Sequence, residues 1–205
     1  METTDGIYLY GASGHAKVIS DIIEAEGKTV HGFIDDNPSL SQFRGLEVRH
    51  SADGCNPIIV SIGNCNIRRK IVDALSSHDF ATAIHPAAVV SPSARIGIGS
   101  VVMPGAIVNA EASIGRHCIV NTKASVDHDC RIADFVHIAP GCTICGNVEV
   151  GEATWIGTGA AVIQGVKIGK NCMIGAGSTV VSDIPDNVVA FGTPARVIRK
   201  NLHDE

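Results

Sequence analysis

Aromatic residues are scarce in this chain, with one Trp, two Tyr and five Phe among 205 residues. Its core must therefore be aliphatic. Charged residues are also few, at 18%, and the net charge of -5 comes without any basic stripe. That leaves nothing to displace counterions from a nucleic-acid backbone, so no nucleic-acid partner is expected. No apolar run approaches the ~20 residues of a membrane helix. The first residues lack a basic segment followed by an apolar one, so no secretory signal is expected.

What the chain does have is a beat. From Ile84 to Val180 every sixth residue is Ile or Val, and four positions later comes a smaller residue, from Ala88 onward. A period of six fits neither a helix nor a flat strand; it fits a β-solenoid with a corner every six residues. At three strands per turn the beat predicts nearly six coils, roughly 27 Å tall at strand spacing. Cys118, Cys130, Cys142 and Cys172 fall on the small inward position and should pack as small apolar groups. Seven cysteines is an odd number. With no secretory signal, a reducing cytoplasm is the expected location. Cys145 is off that position and no histidine has a clear claim to activate it.

Residues 1–83 do not follow the beat. Gly6–Tyr10, Thr29–Ile34 and Pro57–Ile62 read as buried strands. Val18, Ile19, Ile22 and Ile23 keep helical spacing up to Gly27, and a second helix has Ile67, Ile71 and Leu75 on one face. Arg68, Arg69 and Lys70 read as a solvated face of it. This is a small Rossmann-like α/β unit, whose sites lie at the carboxyl ends of its strands. Those ends carry Ser13-Gly14-His15, Asp35-Asp36 and Gly63-Asn64. The glycine turn before a helix suits a phosphate, but G-x-G-x-x-G is missing, which argues against a dinucleotide. Asp35-Asp36 could accept hydrogen bonds from a ribose or base, or form an Asx turn before Pro38. The expected division is 1–83, 84–184 and a tail, 185–205, that covers the open end of the solenoid.

In such a solenoid residues 18 apart stack. Gly141, Gly159 and Gly177 form one column and Gly157 and Gly175 another. A strip without side chains lets a ligand lie against the backbone, or serves tight corners. His128 is flanked by Asp127 and Asp129 and stacks under Gly146, which predicts open space over the imidazole. A neighbouring carboxylate can fix a histidine tautomer and raise its basicity, as a general base requires. His137, half a turn further, faces away from His128 on one chain. The two could share a site only across subunits, as in a threefold assembly. His117, His137 and a second chain's His128 also admit a zinc reading.

The hexads, the late Gly192-Thr193-Pro194-Ala195-Arg196, the opening Gly-Ala-Ser-Gly-His and Ser125-Val126-Asp127-His128-Asp129-Cys130 together resemble the NeuD/PglD-like sugar acetyltransferases. The resemblance implies a left-handed parallel β-helix after the α/β unit, a homotrimer, and acetyl-CoA as co-substrate with no permanently bound cofactor and no metal. It is strongest to enzymes that N-acetylate a UDP-linked 4-amino-4,6-dideoxy sugar on the way to UDP-diacetylbacillosamine. By that resemblance His128 is the general base and Asp129 its support, where the family has the longer Glu. His137, Thr158 and Ala176 serve acetyl-CoA, beside Gly146 and Gly175. The nucleotide portion falls to Ser13, Gly14, His15, Asp35, Asp36 and Gly63. Related enzymes O-acetylate sialic acids or N-acetylate GDP- or dTDP-linked amino sugars. Outside the transferases stand a zinc lyase of the carbonic anhydrase sort and a non-catalytic nucleotide sensor.

Overall fold

The computed structural model describes residues 6–201, so the outermost residues of the expected first unit and of the tail lie outside them. Five strands form the first sheet: β1 (Gly6–Tyr10), β2 (Thr29–Ile34), β3 (Gln42–Phe43), β4 (Leu46–Arg49) and β5 (Ile58–Val60), in the order β3-β4-β2-β1-β5. All pairings are parallel except β3–β4. Helix α1 (Gly14–Ala25) connects β1 to β2 and buries Ile19, Ile22 and Ile23; α2 (Cys65–Ala74) follows β5. The packed face of α2 matches the expected one in part. Leu75 is buried and Ile71 packs beside it, but Ile67 is 50% exposed, and Cys65, Arg68 and Val72 are buried instead. Arg68 thus leaves the solvated face assigned to it and becomes part of the packing.

Residues 83–180 form seventeen two-residue strands, β6 (Ala83–Ile84) to β22 (Thr179–Val180). From β6 to β19 each pairs in parallel with the strand 18 residues on, as in Ser125 with Thr143 and His137 with Trp155. The three columns of strands are the three faces of a prism. The Ile/Val beat points inward and fills one continuous core with the small positions. Each buried beat residue contributes about 1.5–3 kcal/mol by leaving water.

The corners have a rule the beat does not reveal. Every sixth residue from Gly99 to Gly177 has positive φ. Glycine and asparagine fill many of these positions, but Glu111, His117, Lys123, Asp129, Phe135 and Ala153 also adopt it. The left-handed region is unfavourable for most side chains, so these are imposed by the coil.

The inward cysteines do more than fill volume. Cys118 donates to the Ala133 carbonyl, Cys130 to Cys145, Cys142 to Gly157 and Cys172 to Pro185. Ser100 and Thr154 bond in the same way to Gly115 and Gly169. A small X–H donor at this position satisfies a corner carbonyl of the next coil. All seven cysteines are free thiols, and burial pushes Cys118 up to about 12. That holds it as an unreactive thiol.

The faces differ in what they present. One carries Ala83, Val101, Ile119, His137 and Trp155 outward, and the α/β unit packs on it through α1 and α2. The second carries Val89, Ile107, Ser125, Thr143, Ala161 and Thr179, none of them charged. The third carries Arg95, Ser113, Arg131, Glu149 and Lys167. The tail adds two strands to the first face: β23 (Val188–Gly192) continues it in parallel and β24 (Ala195–Lys200) returns antiparallel. Val188, Ala190 and Ala195 join the solenoid core. No helix among the described residues is long and apolar enough to cross a membrane.

Candidate active site

His128 follows the strand Ser125–Val126, at the corner where the uncharged face ends. Its ring is 59% exposed. Asp129, held at φ +59° by the corner, places Oδ2 2.7 Å from His128 Nδ1. The shorter acid therefore reaches the imidazole. A carboxylate only accepts, so Nδ1 carries the proton and Nε2 presents its lone pair. Asp127 has another task. Its Oδ1 accepts the His128 backbone N–H at 2.8 Å and the Asn109 amide at 2.9 Å. The hydrogen bond to Asp129 raises the His128 pKa, with Asp127 adding to it, and those bonds hold Asp127 low.

Gly146 stacks against this ring, but not as open space. A Cβ there would lie 2.7 Å from His128 Cε1 and Nε2. The imidazole itself fills the room the missing side chain leaves. Asn147 N–H bonds to the His128 carbonyl, and Gly165 N–H to the Gly146 carbonyl. The Gly146 N–H makes no hydrogen bond among the described residues.

The two glycine columns also part ways. Gly141, Gly159 and Gly177 meet nothing within 4 Å of a virtual Cβ. Gly157, by contrast, would clash with the backbone of Gly175 and Ala176, and Gly175 with Phe191. That second column exists for close coil stacking, and only the first is a bare strip. Thr158 and Ala176 are exposed beside it, and the Thr158 carbonyl accepts the Gly177 N–H at 2.8 Å.

His137 lies on the face covered by the α/β unit and is 5% exposed. It stacks on Trp155 at 4.9 Å, and His15 lies 6.2 Å away. Its Nδ1 contacts the Gly63 carbonyl at 3.0 Å and its Nε2 the Asn121 amide at 3.0 Å. Burial pushes His137 down to about 3 and His15 to about 4, with Arg68 adding to both. The His15 Nε2 is buried without a hydrogen-bond partner. Ser13 and Gly14 are exposed at the start of α1. Asp35 ties the turn to β2: Oδ2 accepts the Ala12 N–H at 2.8 Å and Oδ1 the Asn37 N–H at 3.0 Å, an Asx turn. Asp36 Oδ1 accepts the Tyr10 hydroxyl at 2.7 Å.

Apart from Ser13, Gly14, Asp35 and Asp36 at the ends of β1 and β2, the structure gathers the candidates into three patches. His15, Gly63 and His137 meet between the two units, His128, Asp129 and Gly146 at one corner, and Thr158, Gly175 and Ala176 at another. His128 and His137 stand on different faces. His117 packs as a core aromatic, apart from His137 and His128: it is 2% exposed, with its ring stacked on Phe135 and edge-on to Phe80. Asn109 and Trp155 were missed, although each is 18 residues from a residue singled out (Asp127 and His137). Asn121 and Arg68 left no such trace.

Known proteins resemble this chain in both of its parts. The family described as PglD N-terminal domain matches residues 6–75, and that described as bacterial transferase hexapeptide (six repeats) matches residues 147–182. The UDP-N-acetylbacillosamine N-acetyltransferase of Bacillus subtilis is 40% identical over 111 residues, 47% of this chain and 50% of that protein. The chain spans half or less of the length of the curated relatives it matches. Solved structures are covered almost fully. A variant of perosamine N-acetyltransferase from Caulobacter crescentus, with CoA and GDP-perosamine, is 39% identical at TM-score 0.90, covering 94% of this chain and 96% of that one. The acetyltransferase domain of PglB from Neisseria gonorrhoeae is 38% identical at TM-score 0.88, covering 95% and 100%. This chain belongs to the PglD-like sugar acetyltransferases.

Proposed function

We propose that the protein transfers the acetyl group of acetyl-CoA to the 4-amino group of a UDP-linked 4-amino-4,6-dideoxy sugar. The observation that carries this reading is the His128–Asp129 pair: an exposed imidazole, proton fixed on Nδ1, with a free Nε2 beside an unpaired backbone N–H. The amine nitrogen attacks the thioester carbon while His128 Nε2 takes its proton. The Gly146 N–H donates to the developing oxyanion. The intermediate then collapses, the C–S bond breaks, and the CoA sulfur leaves with the proton from His128. An unprotonated amine needs no covalent enzyme intermediate.

Ser13, Gly14, His15, Asp36 and Gly63 hold the nucleotide end, with Asp35 bracing the turn. Thr158 and Ala176, flanking the bare strip of Gly141, Gly159 and Gly177, take acetyl-CoA together with Gly175, and His137 serves it from the face under the α/β unit. His128 and that strip stand at opposite edges of the uncharged face. Packing this face against neighbouring copies in a homotrimer brings one chain's His128 to the next chain's strip. Val89, 63% exposed, and Ile107, 38% exposed, are apolar residues suited to such a contact. Seven free thiols suit a cytoplasmic location.

A GDP-linked amino sugar is the second reading, favoured by the full-length likeness to the Caulobacter protein. Thiol release from acetyl-CoA, measured against UDP-, GDP- and dTDP-linked 4-amino sugars, separates the two. The proposal expects the highest kcat/KM with the UDP sugar. No thiol release with any of them would contradict the function.

The pH dependence follows from the raised His128 pKa. A base with a raised pKa loses activity as pH falls through that value. In Asp129→Asn the carboxylate no longer favours the protonated ring, so the acidic limb of the kcat profile moves to lower pH and the plateau falls. An unmoved limb would remove Asp129 from this role.

A further inference from the structure

Arg68 is 1% exposed, a fully buried cation on α2. Burying a charge is costly unless all its donors are met. Among the described residues no carboxylate pairs with it. Its Nε donates to the His117 carbonyl at 2.8 Å and its Nη2 to Phe135 at 2.6 Å, both on successive solenoid corners. Its Nη1 donates to the carbonyls of Ile62 at 2.8 Å and Gly63 at 3.0 Å, in the loop between β5 and α2. Only a planar fork spans such a set, which a lysine ammonium cannot.

The Gly63 carbonyl is shared, because His137 Nδ1 also lies 3.0 Å from it. A carbonyl only accepts, so Nδ1 carries the ring proton. The His137 Nε2 then accepts from Asn121, whose Oδ1 is already taken by the Thr122 N–H at 2.7 Å. We infer that Arg68 is a positioning residue: by pinning the Gly63 carbonyl it holds His137 as the neutral Nδ1–H tautomer, with the Nε2 lone pair kept as an acceptor at the junction of the two units. A ligand N–H or O–H can take the place of the Asn121 amide on that lone pair; a protonated ring could not accept it. The link to acetyl-CoA rests on the functional reading above, whereas the tautomer does not.

The titratable and charged groups facing His137 are Arg68 and Cys65 on α2 and His15 on α1. The charge of Arg68 acts in the same direction as burial on His137. Arg68→Lys keeps that charge but releases the Gly63 carbonyl, which frees the ring to change tautomer while staying neutral.

The test is a long-range 1H–15N spectrum of the histidine rings from pH 8 to pH 5, for the full chain and for Arg68→Lys, with His137→Gln assigning the signal. The inference expects the wild-type ring to stay Nδ1–H and neutral throughout. In Arg68→Lys it expects a second tautomer of a still neutral ring, with the KM for acetyl-CoA raised about tenfold and kcat changed far less. A wild-type His137 found as Nε2–H or protonated near pH 6 overturns it, as does an unaltered ring in a folded Arg68→Lys. If the lysine variant does not fold, the wild-type spectrum decides. A correct wild-type tautomer in a protein that acetylates no amino sugar would sink the functional reading and leave this one standing.

Discussion

His128→Ala lowers turnover at least about a hundredfold, the usual worth of a positioned general base, while acetyl-CoA binds with little change. The reason is local. The ring is exposed, contributes nothing to the solenoid core, and makes its side-chain hydrogen bond to an equally exposed Asp129. Its removal leaves no cavity and no buried orphan, so thermal stability stays within about 0.5 kcal/mol. The amine remains nucleophilic and the Gly146 N–H remains in place, which leaves residual transfer by proximity. Stopped-assay turnover and calorimetric acetyl-CoA titration on the same preparation separate the two effects. Wild-type turnover in this variant would take His128 out of the reaction.

Gly146→Ala reaches a similar loss by a different route. The added methyl would stand 2.7 Å from two atoms of the imidazole, closer than carbon atoms pack. The ring is at the surface and is free to swing away, so the fold survives while the base leaves its place. The backbone of Gly146 is not in the left-handed region, so alanine brings no strain of its own. Turnover is expected to fall between tenfold and a thousandfold, by about the displacement of one catalytic group. The combined variant with His128→Ala should be no worse than His128→Ala alone, because groups acting as a unit are not additive. Additive losses in the double variant would show that Gly146 acts elsewhere, for instance through the oxyanion alone.

The solenoid was legible because it repeats one physical problem. Each coil must bury the same inward residue, so Ile or Val returns every six residues and leaves a period no other fold produces. The 18-residue stacking followed from that period, and it located Gly146 against His128 correctly. What stacking arithmetic could not give is depth. It placed Gly146 over the ring as empty space, whereas the imidazole occupies the gap. It set Gly157 and Gly175 beside Gly141 and Gly159 as equals, although only the latter column turns outward. Arg68 shows the deeper limit. Beside Arg69 and Lys70 on a short helix it reads as a solvated charge, and nothing local distinguishes it. Its burial is decided by carbonyls 49 and 67 residues away, on solenoid corners that face α2. The placement of His137 under the α/β unit is the same kind of fact, set by docking of two units and not by either alone.

The central claim is that catalysis uses His128 of one chain and the bare strip beside Thr158 of its neighbour. Co-expression of two inactive chains tests it most directly, one with His128→Ala and an intact strip, the other with Thr158→Arg and an intact His128. If subunits share sites around a threefold axis, every trimer that contains both chains holds one intact site among its three, so mixing restores about a third of wild-type activity in such trimers. Recovery to that level in the doubly tagged mixed assembly is the predicted result. A mixed assembly as inactive as its parents would contradict it.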